Sequence, residues 1–515
     1  MEEFFSQVGG INEAIKDFVW DQLGVWLLLA AGVILTCCSG FFQITHIRHW
    51  WKNTIGSLFS KGAKSRKNKE KGAISQFQAL CTALAATIGT GNIAGVASAI
   101  CVGGAGAVFW MWVAAFFGMI TNYSENILGI YFRRKNKKGE WSGGPMYYIK
   151  DGFGKYKGCK TIAKILAVLF ASFAVLASFG IGNLGQTNKI VINLQNAFFE
   201  GTESAIAFGN VSWMALILGL VLTIVGALII LGGLQRIAAF AEKVVPFMAI
   251  IYVVGALVIM GVHITEVGAA FAIIFKCAFG VQAVAGGFAG VAVKEVITQG
   301  CKRGIFSNEA GLGSSVMVHS NSNVVEPVKQ GLWGIFEVFA DTIVVCTMTA
   351  IVVLTSGAID LNTGAVAAGT KDATLVATAF GNVFGKPGVI FIALCVLLFA
   401  FTTVLGWSHY GSKAFEYLFG EKAAVGYRAV FVVLIAAGPM MSSSLAWEIS
   451  DTFNGLMMIP NLIGVLSLTP IVLKVTRNYR DRIIHGKPIK PMLSAIPEVQ
   501  EEMEAKLSSN TNVEE

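Results

Sequence analysis

Long apolar segments with few charges constrain the fold of this 515-residue chain more than any other feature. Runs of about 18 or more predominantly apolar residues recur between residues 22 and 475, and each is long enough to cross a bilayer as a helix. Charged residues make up only 14% of the chain, whereas soluble domains carry about 25%. The sequence therefore predicts an all-α, polytopic membrane protein.

The net charge of +8 is concentrated in three segments. Residues 45–74 carry eight Lys/Arg, residues 133–140 carry five, and the segment from Lys474 to Lys490 carries six. The loops on the opposite side of the membrane hold little positive charge, namely Lys189, Lys371 and Lys386, so the basic loops are expected in the cytoplasm, the N-terminus outside and the C-terminus inside. This distribution indicates the lipid bilayer as a partner and argues against nucleic acid.

The apolar runs predict about eleven transmembrane helices, arranged as one helix and two groups of five. The first helix lies near 22–44, the first group near 75–103, 105–132, 161–185, 212–233 and 243–263, and the second near 268–300, 329–355, 386–411, 426–446 and 451–475. Because five is odd, the two groups start from opposite faces of the membrane, which is the inverted-repeat plan of many secondary transporters.

Four regions follow from this arrangement. They are an N-terminal helix with a basic cytoplasmic loop (1–74), a first five-helix repeat (75–265), a second inverted repeat (268–475) and a polar cytoplasmic tail (476–515). The tail ends in "IPEVQEEMEAKLSSNTNVEE", whose low apolar content predicts disorder.

The stretch "AATIGTGNIAGV" (85–96) interrupts the first apolar segment of the first repeat. Irregular backbone at membrane depth persists only where it is buried in protein or lines a cavity. Unwinding there frees carbonyl oxygens that can coordinate a cation and N–H groups that attract a carboxylate. One such break could hold both ends of an amino-acid zwitterion together with a sodium ion.

A second interruption is predicted in "CAFGVQAVAGGFAG" (277–290), early in the second repeat. Gly-interrupted helices at corresponding places in two repeats are typical of a transport site. The alternative is that Gly91-x-x-x-Gly95 and Gly286-x-x-x-Gly290 only allow helices to pack closely. Their matching positions in the two repeats favour the transport site.

Motifs of other protein classes do not occur in the sequence. It contains no H-E-x-x-H and no G-x-x-x-x-G-K-[ST], and no Ser/His/Asp set can be placed together, so an enzyme is not predicted. The nine cysteines and six histidines lack metal-ligand spacing. We therefore expect no organic cofactor and no transition-metal site.

Several long motifs resemble one family of transporters. "GGAGAVFWMWVAAFFG" (103–118) is similar to the signature of the alanine or glycine:cation symporters, the sodium:alanine or AgcS/AlsT-like family. The resemblance extends, in order, through "TALAATIGTGNIAGVASAI" (82–100), "GGPMYYI" (143–149), "RGIFSNEAGLGS" (303–314), "DTIVVCTMTA" (341–350) and "FNGLMMIPNLIGVLSL" (453–468). It covers about residues 20–475.

The resemblance implies a LeuT-like five-plus-five core preceded by one extra N-terminal helix. It also implies sodium-coupled uptake of small neutral amino acids such as alanine and glycine, by a monomer in the plasma membrane. Proton coupling, a glutamine preference, and an amino-acid sensor or channel that has lost coupling remain the alternatives.

Substrate-binding residues follow from the resemblance. The first break would contribute Gly89, Thr90, Gly91 and Asn92, and Asn92 can both donate and accept hydrogen bonds. The remaining expected contacts are Gln186 in the third span, Phe288 in the predicted second break, and Thr403 with Trp407, which stand four residues apart on one helix face. The alternatives are a helix cap for Asn92, a packing role for Phe288, and interface positions for Gln186 and Trp407.

Sodium sites are implied more loosely. One site would use the carbonyls of Ala85 and Ile88 with the hydroxyls of Thr402 and Thr403, an all-oxygen shell that suits a hard cation. A second would use the Thr87 carbonyl and Asn92. Thr403 is thus a candidate for both ion and substrate.

Four acidic residues within or beside apolar segments are left without an assigned role: Glu125, Glu309, Glu337 and Asp341. An ionised carboxylate at membrane depth is costly and usually functional. Glu309 is expected on the inner side of the second repeat's first helix, as part of a gate. The alternative for each is a structural carboxylate held by neighbouring hydroxyls and helix ends.

Overall fold

The fold is known from a computed structural model, which describes residues 2–59, 70, 72–199, 206–208, 211–279, 293–359, 372–440 and 444–511. Helices dominate these residues, as the apolar runs predict. Strands are confined to two short antiparallel hairpins, in which β1 (Arg134–Lys135) pairs with β2 (Trp141–Ser142) and β3 (Ile206–Phe208) pairs with β4 (Val211–Ser212).

The helices of the N-terminal half are α1 (Glu2–Asp17), α2 (Val25–Cys38), α3 (Phe42–Thr45), α4 (Ile47–Asn53), α5 (Ile55–Leu58), α6 (Gln76–Thr87), α7 (Val96–Gly103), α8 (Gly106–Tyr131), α9 (Pro145–Asp151), α10 (Lys160–Phe179), α11 (Gly185–Phe198), α12 (Trp213–Ile230) and α13 (Gly233–Val262). Those of the C-terminal half are α14 (Ile264–Cys277), α15 (Val293–Asn308), α16 (Val316–His319), α17 (Pro327–Val338), α18 (Thr347–Thr355), α19 (Asp372–Phe384), α20 (Lys386–Phe419), α21 (Glu421–Ala437), α22 (Ser444–Ser467), α23 (Thr469–Tyr479) and α24 (Pro497–Thr511).

Wider, π-type helical turns join or extend several of these helices. They occupy Phe18–Gly24, Gly91–Gly95, Gly180–Leu184, Phe339–Cys346 and Arg480–Ile484. Such turns inside α-helices occur frequently at functional sites. The second of them contains Gly91 and Asn92, which the sequence assigns to the substrate site, and the third ends two residues before Gln186.

Eight helices among the described residues are long and apolar enough to cross a membrane, and two bent helix pairs raise the number to ten. The eight are Gly9–Cys38, Gly106–Tyr131, Lys160–Phe198, Trp213–Ile230, Gly233–Val262, Pro327–Thr355, Lys386–Phe419 and Glu421–Met440. The predicted all-helical polytopic class is confirmed, whereas the count of eleven spans stays a prediction.

The first span of the first repeat is broken where its sequence indicates. A capping box at Ser75 starts α6, because the Ser75 hydroxyl accepts from the Gln78 N–H while the Gln78 side chain accepts from the Ser75 N–H. The helix ends at Thr87, and the chain resumes as a helix at Gly91 with a bend of 52°. The predicted interruption at 85–96 is therefore confirmed.

A second interruption lies at residues 309–315, between α15 and α16. Glu309, Gly311 and Gly313 all have positive φ there, which ends the helix abruptly. The sequence predicts the second break at 277–290 instead, and residues 280–290 of that stretch lie outside the described residues. Among the described residues, the interruption at 309–315, which carries the "SNEAGLGS" motif, meets the first break through Glu309.

The core is built around α8, which packs against α15 and α17. Apolar side chains on α12 and α13, by contrast, point away from the protein, among them Leu220, Leu228, Ile250 and Val262. A contiguous exposed apolar surface of this kind marks the part of a membrane protein that faces lipid.

The predicted disorder of the C-terminal tail is wrong for residues up to 511. The helix α24 covers the hairpin of β1 and β2, where Leu493 and Met503 are buried against Trp141. Lys506 joins Glu70 at 3.0 Å and Glu502 at 2.9 Å, so ion pairs surround the apolar contact. A few apolar residues that find a matching surface are enough to order a segment whose composition alone favours disorder.

Candidate functional site

A small cavity lies between the two interruptions, and we call it the inner cavity. Its volume is about 20 Å³, which is room for roughly one water molecule. It lies between α6, the turn at Gly180–Leu184, the end of α15, α20 and α22. Its lining consists of Ala86, Thr87, Gly89, Gly91, Ile181, Gln186, Phe306, Glu309, Thr403, Trp407 and Asn454.

At the end of α6, backbone N–H groups beside this cavity bond to side chains instead of to the helix. The Gly89 N–H, which would continue the helical ladder to the Ala85 carbonyl, instead donates to Asn92 Oδ1 at 2.9 Å. Gly89 is required by close approach, because an added Cβ would lie 2.5 Å from Thr403 Oγ1. The break therefore brings the main chain of α6 directly against α20.

Gln186 is fixed to the first break by its side-chain oxygen. Gln186 Oε1 accepts from the Thr90 hydroxyl at 3.0 Å, while Gln186 Nε2 donates to the Ile181 carbonyl at 3.1 Å. The amide is thus held at both ends and still contributes to the cavity wall. The alternative of an interface position is wrong for Gln186, which is buried in the protein.

Thr403 and Trp407 both face the inner cavity from α20, as their four-residue spacing predicts. Trp407 is buried against Gly182, where an added Cβ would overlap the Trp407 side chain. The alternative of an interface anchor is therefore wrong for Trp407.

Glu309 is the acidic residue of the inner cavity. Glu309 Oε1 accepts from Trp407 Nε1 at 2.9 Å, and Glu309 Oε2 accepts from the Ser314 hydroxyl. The carboxylate is buried, and these donors replace the water that burial removes. The sequence indicates Glu309 as a gate residue; the structure puts its carboxylate in the cavity wall.

Asp341 connects three elements directly behind the first break. Its Oδ1 accepts from Asn92 Nδ2 at 2.7 Å, and its Oδ2 accepts from the hydroxyls of Ser307 at 2.7 Å and Thr342 at 2.8 Å. Thr349 Oγ1 in turn donates to the Asn92 carbonyl at 2.8 Å. This cluster of oxygen atoms ties α15 and the Phe339–Cys346 turn to Asn92.

The structure brings most of the predicted substrate residues together. Gly89, Gly91, Gln186, Thr403 and Trp407 line the inner cavity, whereas Thr90 lines the neighbouring cavity described below. Asn92 is not among the lining residues, because its amide is engaged by the Gly89 N–H and Asp341. Phe288 lies outside the described residues.

The residues predicted for sodium lie at the same junction of α6 and α20. Ala85, Thr87 and Ile88 end α6, and Gly406 of α20 is so close that an added Cβ would lie 2.6 Å from the Ala86 Cβ. The hydroxyls of Thr402 and Thr403 both donate to the Phe399 carbonyl, at 2.9 and 3.0 Å. Within the described part of the chain, no group of three or more His, Cys, Asp or Glu side chains could hold a metal ion.

Sequence reasoning missed two kinds of cavity residue. Phe306, near the end of α15, lines both cavities, although the sequence indicates it only as part of the "RGIFSNEAGLGS" motif. Asn454 of α22 lines the cavity, and its buried Oδ1 has no hydrogen-bond partner in the described part of the chain. A polar side chain in the apolar run 451–475 is the signal that could have identified Asn454.

Glu125 and Glu337 lie away from both cavities, in a buried polar network. Glu337 Oε2 contacts His319 Nε2 at 2.9 Å and accepts from Asn122 at 3.1 Å. Glu125 Oε1 accepts from Asn461, which also donates to the Gly311 carbonyl at 2.8 Å. The network therefore holds the interruption at 309–315, in agreement with a structural role for both carboxylates.

A second cavity, which we call the outer cavity, lies further along the first broken helix, towards Gly104. Its volume is about 100 Å³. Gly91 and Phe306 line both cavities, so the two spaces are neighbours. The other lining residues of the outer cavity are Thr90, Ala94, Gly95, Ser98, Lys189 and Arg303.

A polytopic helical protein with two interrupted helices beside a buried polar cavity belongs to the class of LeuT-fold membrane transporters. The solved structure of MhsT in complex with L-phenylalanine has this fold and aligns with the chain at a TM-score of 0.51 and 13% identity, covering 79% of this chain and 99% of MhsT. At this identity, the likeness shows the fold alone.

Within that class, the chain belongs to the sodium:alanine symporter family, whose family profile matches residues 6–492. The sodium/alanine symporter AgcS of Methanococcus maripaludis is 42% identical over 479 residues, which are 93% of this chain and 98% of AgcS. An uncharacterized transporter of Haemophilus influenzae is 41% identical over 478 residues, 92% of this chain and 97% of that protein. The chain is therefore a multi-pass membrane transporter, and the resemblance found in its motifs is confirmed.

Proposed function

We propose that the protein carries small neutral amino acids, alanine and glycine first among them, into the cell by sodium-coupled symport with alternating access. The observation that carries the proposal is the inner cavity, where an interrupted helix meets Gln186, Thr403 and Trp407. The 42% identity to a sodium/alanine symporter supports the same substrate class.

The size and chemistry of the inner cavity support a small zwitterion as substrate. With a volume of about 20 Å³, the cavity admits even alanine only after a side chain moves, so large substrates are disfavoured. The backbone N–H groups of Gly89 and Thr90, which donate to side-chain oxygens of Asn92 and Gln186, are donors that a carboxylate can take over. The unpartnered Asn454 Oδ1 offers an acceptor for an ammonium group.

Sodium is the proposed coupling ion, and two oxygen-rich places support it. The first lies between the end of α6 and the hydroxyls of Thr402 and Thr403, as the family resemblance implies. The second extends the predicted site at Thr87 and Asn92. Asp341, which accepts from Asn92 at 2.7 Å, also accepts from the hydroxyls of Ser307 and Thr342 at 2.7 and 2.8 Å. Oxygen ligands with one carboxylate suit a hard monovalent cation.

The proposed setting is the plasma membrane, with the basic loops in the cytoplasm. The eight Lys/Arg of residues 45–74 and the five of residues 133–140 support this orientation. The N-terminus then lies outside, the C-terminal helix α24 lies in the cytoplasm, and the outer cavity lies between the inner cavity and the external medium. The proposed transporting unit is a monomer.

Uptake into liposomes tests the proposal. Purified protein is reconstituted and labelled L-alanine is supplied under an inward Na⁺ gradient, an inward H⁺ gradient, or neither, with unlabelled glycine, serine, glutamine and leucine as competitors. Concentrative uptake that requires Na⁺ and is blocked by glycine but not leucine is expected. Uptake driven only by H⁺, or a preference for glutamine, would favour those carriers instead, and alanine binding without uptake would favour a sensor.

A further inference from the structure

The outer cavity is lined by basic and hydroxyl side chains. Lys189 on α11 and Arg303 on α15 bring two cationic side chains to it, and the hydroxyls of Thr90 and Ser98 also line it. Among the residues that the structure describes, no acidic side chain lines this cavity. The outer cavity is therefore suited to an anionic group.

The guanidinium of Arg303 has an unused hydrogen-bond donor among the described residues. Its buried Nε has no hydrogen-bond partner in the part of the chain that the structure describes. Asp451 of α22 is close enough to interact with Arg303 electrostatically without forming an ion pair. A buried donor of this kind is costly unless a ligand satisfies it.

The position of the outer cavity connects it with the transport path. Phe306 and Gly91 separate it from the inner cavity, so a molecule leaving the outer cavity past Phe306 arrives directly at Gly89 and Trp407. Its volume of about 100 Å³ exceeds that of the inner cavity and leaves room for a small amino acid before any side chain moves.

We propose that the outer cavity is a capture site, in which Lys189 and Arg303 bind the α-carboxylate of the incoming amino acid before it passes Phe306. This inference rests on the proposed transport function and adds a second binding step to it. The cations raise the local concentration of zwitterion at the mouth of the inner cavity. The carboxylate of the amino acid leaves Lys189 and Arg303 when it reaches the backbone N–H groups of the first break.

The test compares wild type with K189Q, R303Q and R303K in proteoliposomes, by initial rates of labelled alanine uptake against alanine concentration. K294Q is the matched control, because Lys294 lies on the same helix as Arg303, is exposed, and does not line the outer cavity. K189Q and R303Q should each raise KM about five- to tenfold with little change in maximal rate, as loss of an electrostatic capture step predicts. R303K and K294Q should stay within about threefold of wild type, because both keep the charges of the cavity.

Two further measurements, at varied ionic strength and at varied chloride concentration, distinguish capture of the amino acid from binding of a free anion. Raising the ionic strength should raise the KM of wild type but not that of the K189Q/R303Q double variant, because salt screens the attraction. A KM that follows chloride concentration at constant ionic strength would assign the cavity to a free anion and overturn the proposal. Unchanged KM values in both Gln variants, or equal loss of transport in R303K and R303Q, would also overturn it. Absence of alanine uptake in the wild type would instead contradict the proposed transport function.

Discussion

Trp407 and Glu309 meet across the inner cavity, where Trp407 Nε1 donates a hydrogen bond of 2.9 Å to Glu309 Oε1. The two residues are far apart in sequence, on α20 and in the interruption at 309–315. Their hydrogen bond ties the position of the largest side chain in the cavity wall to the conformation of that interruption. A change at either residue should therefore alter both the cavity size and the second break.

Removing the indole donor should widen the cavity and weaken alanine binding. W407F leaves Glu309 Oε1 buried without a donor, at a cost of about 1–3 kcal/mol. We expect the KM for alanine to rise about tenfold and competition by glutamine to increase. Competition uptake measures both effects, with W213F as control because Trp213 is exposed. Unchanged competition by glutamine would show that Trp407 does not limit substrate size.

Gly89 should not tolerate a side chain. The Cβ of G89A would lie 2.5 Å from Thr403 Oγ1, and relieving such a contact costs about 1–3 kcal/mol. We expect the ratio of maximal rate to KM for alanine to fall about ten- to a hundredfold, since about 1.4 kcal/mol corresponds to a factor of ten. G261A is the matched control, because an added Cβ there has no atom within 4 Å and Gly261 lines neither cavity. Equal uptake by the two variants would contradict the close approach of α6 and α20.

Asp341 should set the affinity for sodium. In D341N the side chain keeps one acceptor oxygen for three donors, Asn92, Ser307 and Thr342, and it loses the negative charge. We expect the Na⁺ concentration for half-maximal uptake to rise at least about tenfold, given the strength of hydrogen bonds to charged groups. S307A removes one donor only and should have a smaller effect. E266Q serves as control because the Glu266 side chain is exposed.

If D341N shifted the maximal rate while leaving the Na⁺ dependence unchanged, the Asp341 cluster would be structural. Melting temperatures of the purified variants, measured with and without Na⁺, provide the second readout. Ligand binding stabilises the folded state by mass action, so wild type should melt at a higher temperature in Na⁺ and D341N should lose that difference.

Asn454 should contribute to substrate binding although sequence motifs did not single it out. N454A removes the unpartnered Oδ1 from the cavity wall, so the KM for alanine should rise about tenfold if that atom accepts from the substrate ammonium. The KM is obtained from the concentration dependence of uptake. N382A is a control, because Asn382 is only partly buried and donates to the Ser356 carbonyl instead. A wild-type KM in N454A would remove Asn454 from the site.

Docking of α24 should depend on the apolar contact of Met503 with Trp141. M503D places a charge in that buried contact, which costs several kcal/mol unless the charge finds a partner. We expect trypsin to cut near Lys490 and Lys506 about ten times faster than in wild type, because a released helix exposes its backbone to proteases. A505D is the control, since Ala505 is exposed on the same helix. Equal cleavage rates would show that the ion pairs of Lys506 are sufficient for docking.

The sequence by itself determined the class of the protein and the first break. Length and apolarity of the runs dictate membrane helices, because backbone groups in a bilayer must be hydrogen-bonded within the segment. Gly89, Gly91 and Asn92 predicted the interruption of α6, and irregular backbone at that depth occurs only where it is buried in protein or lines a cavity. The spacing of Thr403 and Trp407 also placed them on one face, since side chains four residues apart in a helix are neighbours.

Only the tertiary structure decided which distant residues meet. The interruption at 309–315, the hydrogen bond of Glu309 to Trp407 and the convergence on Asp341 join segments separated by many residues, and no local pattern specifies such contacts. The order of the tail likewise depends on the surface around Trp141, which composition does not describe. Local backbone preferences are written in short stretches of sequence, whereas partners for buried polar groups exist only once the helices have packed.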